Sequence, residues 1–195
     1  MKDYLTAISE GDATRASELD QHAIEVETTN KPIAEYGDFH TLRTDAVLLA
    51  AERIEDVVID SKTRTIDGDE NHRSVAFTYD LDEQPNEASL EVMWNEQTSE
   101  WELETSFTLL LFIDAKASTT RIEAAPFRIG GDVHVEATDP ELAPLAYLVY
   151  PGGYTIVGAF PEELLSPGED LTRTLVADYP GDASTTFAVT RLPSE

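Results

Sequence analysis

Asp67, Asp69 and Asn71 stand at the spacing of the first, third and fifth ligands of a calcium loop, where alternate oxygen donors would face a hard cation. The pattern then breaks. His72 occupies the position where the bend needs glycine, and Thr78 the position of the bidentate glutamate, so Asp67-Gly68-Asp69 reads as a polar hairpin tip. The four histidines, His22, His40, His72 and His134, lack the paired spacing that puts two imidazoles on one face, which argues against zinc. The chain has no cysteine, which removes thiolate metal sites, disulfides and cysteine nucleophiles. It also has no Gly-x-Ser-x-Gly elbow and no glycine-rich phosphate loop. No metal or cofactor is expected, and the balance is against an enzyme.

Aromatic residues offer a second kind of chemistry. Phe127, Tyr147, Tyr150, Tyr154, Phe160 and Tyr179 crowd the second half of the chain. The group Tyr147, Tyr150 and Tyr154 is a candidate surface platform for a glycan or protein partner.

Helices and strands must position these residues. Tyr4, Leu5 and Ile8 recur at helical spacing, Gly11-Asp12 interrupts, and Ala13, Ala16 and Leu19 begin a second amphipathic turn. Gln21 to Thr41 reads as polar and irregular. Thr44-Asp45 then caps a third helix carrying Ala46 to Ala50. From Glu55 the period changes to two, through Val57 and Ile59, then Val75, Phe77 and Tyr79, then Leu90, Val92 and Trp94, then Trp101, Leu103 and Thr105. That predicts four antiparallel strands, turned at Asp67-Gly68, at Gln84-Pro85-Asn86 and at Glu96 to Ser99.

After Phe107 the texture shifts to a region with eight of the ten prolines and all three Pro-Gly pairs, at 151–152, 167–168 and 180–181. Each pair predicts a type II turn between short strands. The reading is α+β, with helices on a curved antiparallel sheet over residues 1–108 and a small all-β sandwich-like domain over residues 109–195.

Thirty-nine acidic residues against thirteen basic give a net charge of -26. Such a field repels nucleic acid and anionic lipid heads. The acids are spread along the chain, and the only lysines are Lys2, Lys31, Lys62 and Lys116, a composition that suits either a solvated surface or saline surroundings. No apolar run approaches the ~18 residues of a membrane span. The first helix begins almost at Lys2, so a signal, anchor or linker is expected upstream.

The segment Tyr4-Leu5-Thr6-Ala7-Ile8-Ser9-Glu10-Gly11-Asp12-Ala13, the later helix and the strand with Ser99-Glu100-Trp101-Glu102-Leu103 together resemble the NTF2-like (cystatin-like) superfamily. In particular they resemble the extracytoplasmic parts of uncharacterised predicted lipoproteins of high-GC Gram-positive bacteria, which pair such a domain with a small β domain. Tyr147 to Ile156 is similar to the turn and strand of that second domain and of PEGA-type surface modules. The resemblance implies an extracytoplasmic protein, secreted or anchored through a segment outside this chain, that binds or assembles with a protein or glycan at the cell envelope.

NTF2-like enzymes place an acid, tyrosine or histidine in an apolar cone, where burial tunes its pKa. The alternative reading is therefore a small-molecule carrier or enzyme whose pocket is lined by Tyr4, Tyr36, His40, Tyr79 and Trp101. Under the binding reading the cone is filled instead, by Leu5, Leu48, Phe77 and Trp101.

Overall fold

The computed structural model describes residues 1–30, 42–117, 120–122, 126–130, 133–135, 146–160, 165 and 171–189. Tyr36, His40 and the Pro167-Gly168 pair lie outside the described residues.

Helix α1 (Lys2–Glu10) buries Tyr4, Leu5, Ala7 and Ile8. Gly11 ends it at φ 84°, a left-handed conformation that glycine adopts without a Cβ clash. Asp12 then caps α2 (Ala13–Leu19) by accepting the Arg15 N–H at 2.8 Å. The break between the two helices is thus two caps placed back to back.

A further helix, α3 (Gln21–Asn30), occupies part of the stretch expected to be irregular. Its apolar residues Ala23, Ile24 and Val26 do not repeat at helical spacing, so no amphipathic stripe marks it. Tertiary contacts hold it instead. Glu27 accepts from the backbone and hydroxyl of Ser106, each at 3.1 Å, and His22 meets Glu104 at 3.3 Å. Thr44 caps α4 (Asp45–Ala50) as its sequence predicts, accepting from the Val47 N–H.

After the two-residue strand β1 (Glu52–Arg53), strands β2 (Glu55–Ile66), β3 (Asp69–Leu81), β4 (Gln84–Asn95) and β5 (Glu100–Leu103) form an antiparallel sheet in chain order. The second hairpin turns at Asp82-Glu83, not at Gln84-Pro85-Asn86, which belong to β4. Both turn residues have positive φ, 53° and 57°, the twist that suits a two-residue hairpin.

The later strands are β6 (Leu109–Ala117), β7 (Thr120–Ile122), β8 (Phe127–Ile129), β9 (Val133–Val135), β10 (Ala146–Val149), β11 (Gly152–Gly158), β12 (Thr172–Ala177) and β13 (Ala183–Val189). They form two sheets. In one, β11 has β12 along one edge and both β1 and β8 along the other, with β9 beyond β8. In the other, β6 pairs with β13 in parallel and with β10 and β7 antiparallel.

The Pro-Gly pairs at 151–152 and 180–181 are not type II turns, since neither glycine has positive φ. Gly152 lies within β11, pairing with both Arg53 and Ala177, and a Cβ there would come within 3.1 Å of the Glu52 carbonyl. Glycine serves close backbone approach at that position. Gly181 closes a turn by donating to the Asp178 carbonyl at 3.0 Å, around a cis Tyr179–Pro180 bond.

The described residues form two hydrophobic cores, and both parts of the chain contribute to each. One gathers Leu5, Ile8, Leu48, Phe77, Tyr79, Leu90 and Phe107, together with Tyr150 from beyond β10. The other gathers side chains of β6, β8, β10, β11 and β13, together with Leu42, Val47 and Ala51 around α4. Strand β1 repeats this crossing at the backbone level, by adding residues 52–53 to the sheet of β11.

Candidate functional site

Four polar side chains meet in the dry region where these cores adjoin. Asp20, at the junction of α2 and α3, is fully buried. Its carboxylate accepts from the Tyr4 hydroxyl at 2.9 Å, from the Tyr150 hydroxyl at 3.3 Å and from the Arg43 guanidinium. Arg43 also donates to the Tyr150 oxygen at 2.9 Å and lies over that ring, 5.3 Å from its centre. Tyr4 oxygen accepts the Phe107 N–H at 2.8 Å, and Ser17 lies 3.1 Å from the Tyr150 hydroxyl.

A carboxylate taken from water costs several kcal/mol, on the order of what a buried counter-charge and good hydrogen bonds return. Burial pushes the Asp20 pKa up from 3.8 to about 6, while Arg43 and the two tyrosines pull it back. Burial beside Asp20 raises the Tyr4 and Tyr150 hydroxyls well above their usual range. Both stay protonated and act as donors. The cluster is chemically a sealed ion pair with tyrosine braces: it can join elements and titrate, but Asp20 presents no exposed oxygen to a substrate.

Sequence reasoning missed Asp20 and Arg43. Asp20 continues the spacing of the buried Ala13 and Ala16 but is a charged residue at a helix end, and Arg43 sits in a polar stretch; their partners lie 16 to 130 residues away. The local signals were Tyr4 on the buried face of α1 and the place of Asp20 in line with Ala13 and Ala16.

The predicted site residues fall in separate places. Tyr79 is buried against Phe77 and Phe107, and its hydroxyl donates to Asp178. Tyr4 belongs to the Asp20 cluster. Trp101 does not fill the space between helices and sheet; it lies on β5, 40% exposed, edge-on to Trp94 and beneath Arg73. The reason is position, since Leu103, two residues on, takes the buried place opposite Val92. Tyr4 and Trp101 both border an outer cleft of about 360 Å³ with Leu19 and His22.

Tyr147, Tyr150 and Tyr154 form no surface platform, because all three are buried. Tyr147 and Tyr154 alternate inward from β10 and β11, and Tyr150 turns into the Asp20 cluster. Asp67-Gly68 is a hairpin turn with φ of 52° and 79°, and Asp69 accepts the N–H of Asn71.

A larger open space lies on the sheet. A groove of about 930 Å³ runs over β2, β3 and β4 to the wall made by Tyr179 and Pro180. Its lining includes Asp60, Lys62, Arg64, Ser74, Glu87 and Ser89. No protein-family model, no curated protein and no solved structure matches this chain.

Proposed function

We propose that this chain is a non-catalytic binding or assembly module of the cell envelope, extracytoplasmic and NTF2-like in its first part, with a small β-sandwich-like domain following. The observation that carries this reading is the filling of the space between helices and sheet by Leu5, Ile8, Leu48, Phe77, Tyr79 and Phe107. Asp20, the one buried carboxylate among the described residues, is engaged on both oxygens by protein donors. The groove over β2 to β4, about 930 Å³, is larger than the cleft of about 360 Å³ beside Tyr4 and Trp101. The envelope location is supported by the resemblance of residues 4–13 and 147–156 described above.

The test is binding of the purified chain to isolated cell-wall material and envelope proteins, measured beside a panel of isomerase, dehydratase and hydrolase substrates. Saturable binding without turnover is expected. Turnover abolished by Tyr79→Phe or Asp20→Asn would overturn the reading in favour of the cone enzyme.

A further inference from the structure

We propose that the groove over β2, β3 and β4 is a saccharide site for an acidic oligosaccharide, whose anionic groups are held by Lys62 and Arg64. The inference rests on the binding-module reading and names the ligand class.

Charge singles out this place. The whole chain carries three acids for every base, 39 to 13, yet the groove holds two of each: Asp60 and Glu87, Lys62 and Arg64. Among the described residues, neither Lys62 nor Arg64 forms an ion pair. Lys62 and Arg64 stand two residues apart on β2, where alternation puts both side chains on one face, so both can reach the same ligand. An arginine fork matches carboxylate and phosphate oxygens alike. At physiological salt the screening length is about 8 Å, so a ligand seated in the groove is governed by these local charges and not by the remote acids.

The remaining lining suits a polyol. The hydroxyls of Thr63, Ser74 and Ser89 have no side-chain partner among the described residues, which leaves them free to bond ligand hydroxyls. Asp60 and Glu87 are acceptors for the same groups. Ala76, opposite Ser89, leaves room at the floor. The volume lies at the upper end of the ~300–1,000 Å³ typical of ligand sites, so an extended chain of sugar rings fits better than a single small molecule.

The wall is built in advance. Tyr179 packs on Phe107 with ring centres 5.1 Å apart, and Asp178 beside it is tied to Tyr79 at 2.6 Å. A ring held in place offers a sugar an apolar face without an ordering cost on binding.

The experiment is calorimetric titration of the chain at 0.15 M salt with three probes of equal length: an oligogalacturonate, a glycerol-phosphate oligomer and a neutral malto-oligosaccharide. At least one acidic probe is expected to bind about tenfold or more tighter than the neutral one, the size of one charge-assisted contact. The carboxylated and phosphorylated arms tell which anion the site prefers. Lys62→Ala and Arg64→Ala should each lose about tenfold, while Arg15→Ala on α2 changes nothing. Both groove side chains are exposed and unpaired, so the variants should melt as the parent does. Equal binding of neutral and acidic probes, indifference to both substitutions, or no binding by any probe would overturn the proposal. If envelope binding persists in that last case, only this inference falls; if it is absent too, the binding-module reading falls with it.

Discussion

The Tyr79 hydroxyl donates to Asp178 at 2.6 Å across 99 residues of sequence, fixing the turn that precedes β13 onto the sheet of β2 to β5. Burial and the neighbouring Asp178 carboxylate both raise the Tyr79 pKa, so the phenol stays protonated and remains the donor. Tyr79→Phe keeps the ring contacts with Phe77 and Phe107 and removes this bond together with the longer, 3.5 Å one to the Tyr179 carbonyl. It should cost about 1–3 kcal/mol, read as a lower urea midpoint with unchanged slope.

The Asp20 cluster predicts a pH dependence of definite sign. With its pKa raised from 3.8 to about 6, the folded chain holds the Asp20 proton more tightly than the unfolded chain does. The stability contributed by that proton is present below about pH 4 and is lost as pH rises through 6. The effect is on the order of 2–3 kcal/mol. Urea melts at intervals from pH 4 to 7 should show the parent losing this increment relative to Asp20→Asn, which cannot titrate there. Parallel curves for the two proteins would refute the assignment.

Removing one member of the buried pair should hurt more than removing both. Arg43→Met leaves Asp20 uncompensated and should cost roughly 3–5 kcal/mol. Adding Asp20→Asn should recover part of that loss. A double-mutant cycle gives the coupling directly, and additive single effects would show that the two groups do not act as a pair.

Two glycines with the same backbone sign should respond differently to alanine. Gly130 has φ 62°, and a Cβ there would lie 2.7 Å from the Val47 Cα, against the backbone of α4. Gly68 has φ 79° but nothing within 4 Å. Gly68→Ala should cost about 1–2 kcal/mol from the left-handed conformation alone. Gly130→Ala adds about 1–3 kcal/mol of overpacking, seen as the larger drop in melting temperature.

Because both cores draw on both parts of the chain, residues 1–108 expressed alone should lack a cooperative unfolding transition. That piece loses Tyr150, Asp178 and Tyr179, and leaves Asp20 and Arg43 without one brace. A sharp melt of the isolated piece would show that these crossings contribute little.

Local features of the fold were legible in the sequence, and contacts between distant residues were not. Helices α1, α2 and α4 and strands β2 to β5 follow from periods of 3.6 and 2 and from the side-chain caps Asp12 and Thr44. Helix α3 has no such period and is held by Glu27 and His22 against residues about 80 positions away. The tyrosines of β10 and β11 were visible as aromatics, but alternation does not say which face is inward until two sheets meet. Tyr4 was a site candidate on the strength of its type, whereas Asp20 and Arg43 become a pair only once the chain has folded. Lys62 and Arg64 are exposed residues of one strand, and only the fold brings Ser74, Glu87, Ser89 and Tyr179 around the same groove.

Strand β2 borders its sheet with twelve residues and pairs on one side only among the described residues. A long open edge of that kind is a template for another chain. Its register slips three times against β3, between Glu55 and Val58, Ile59 and Thr63, and Thr65 and Ile66, and Asp56 adopts a φ of 48°. Each irregularity turns donors and acceptors away from the straight row that an incoming strand needs. The same bulge that places Asp60 and Lys62 in the groove therefore guards the edge against fibrillar stacking. Straightening β2 by deleting residues 60–61 should raise edge-to-edge aggregation above that of the parent, read by light scattering.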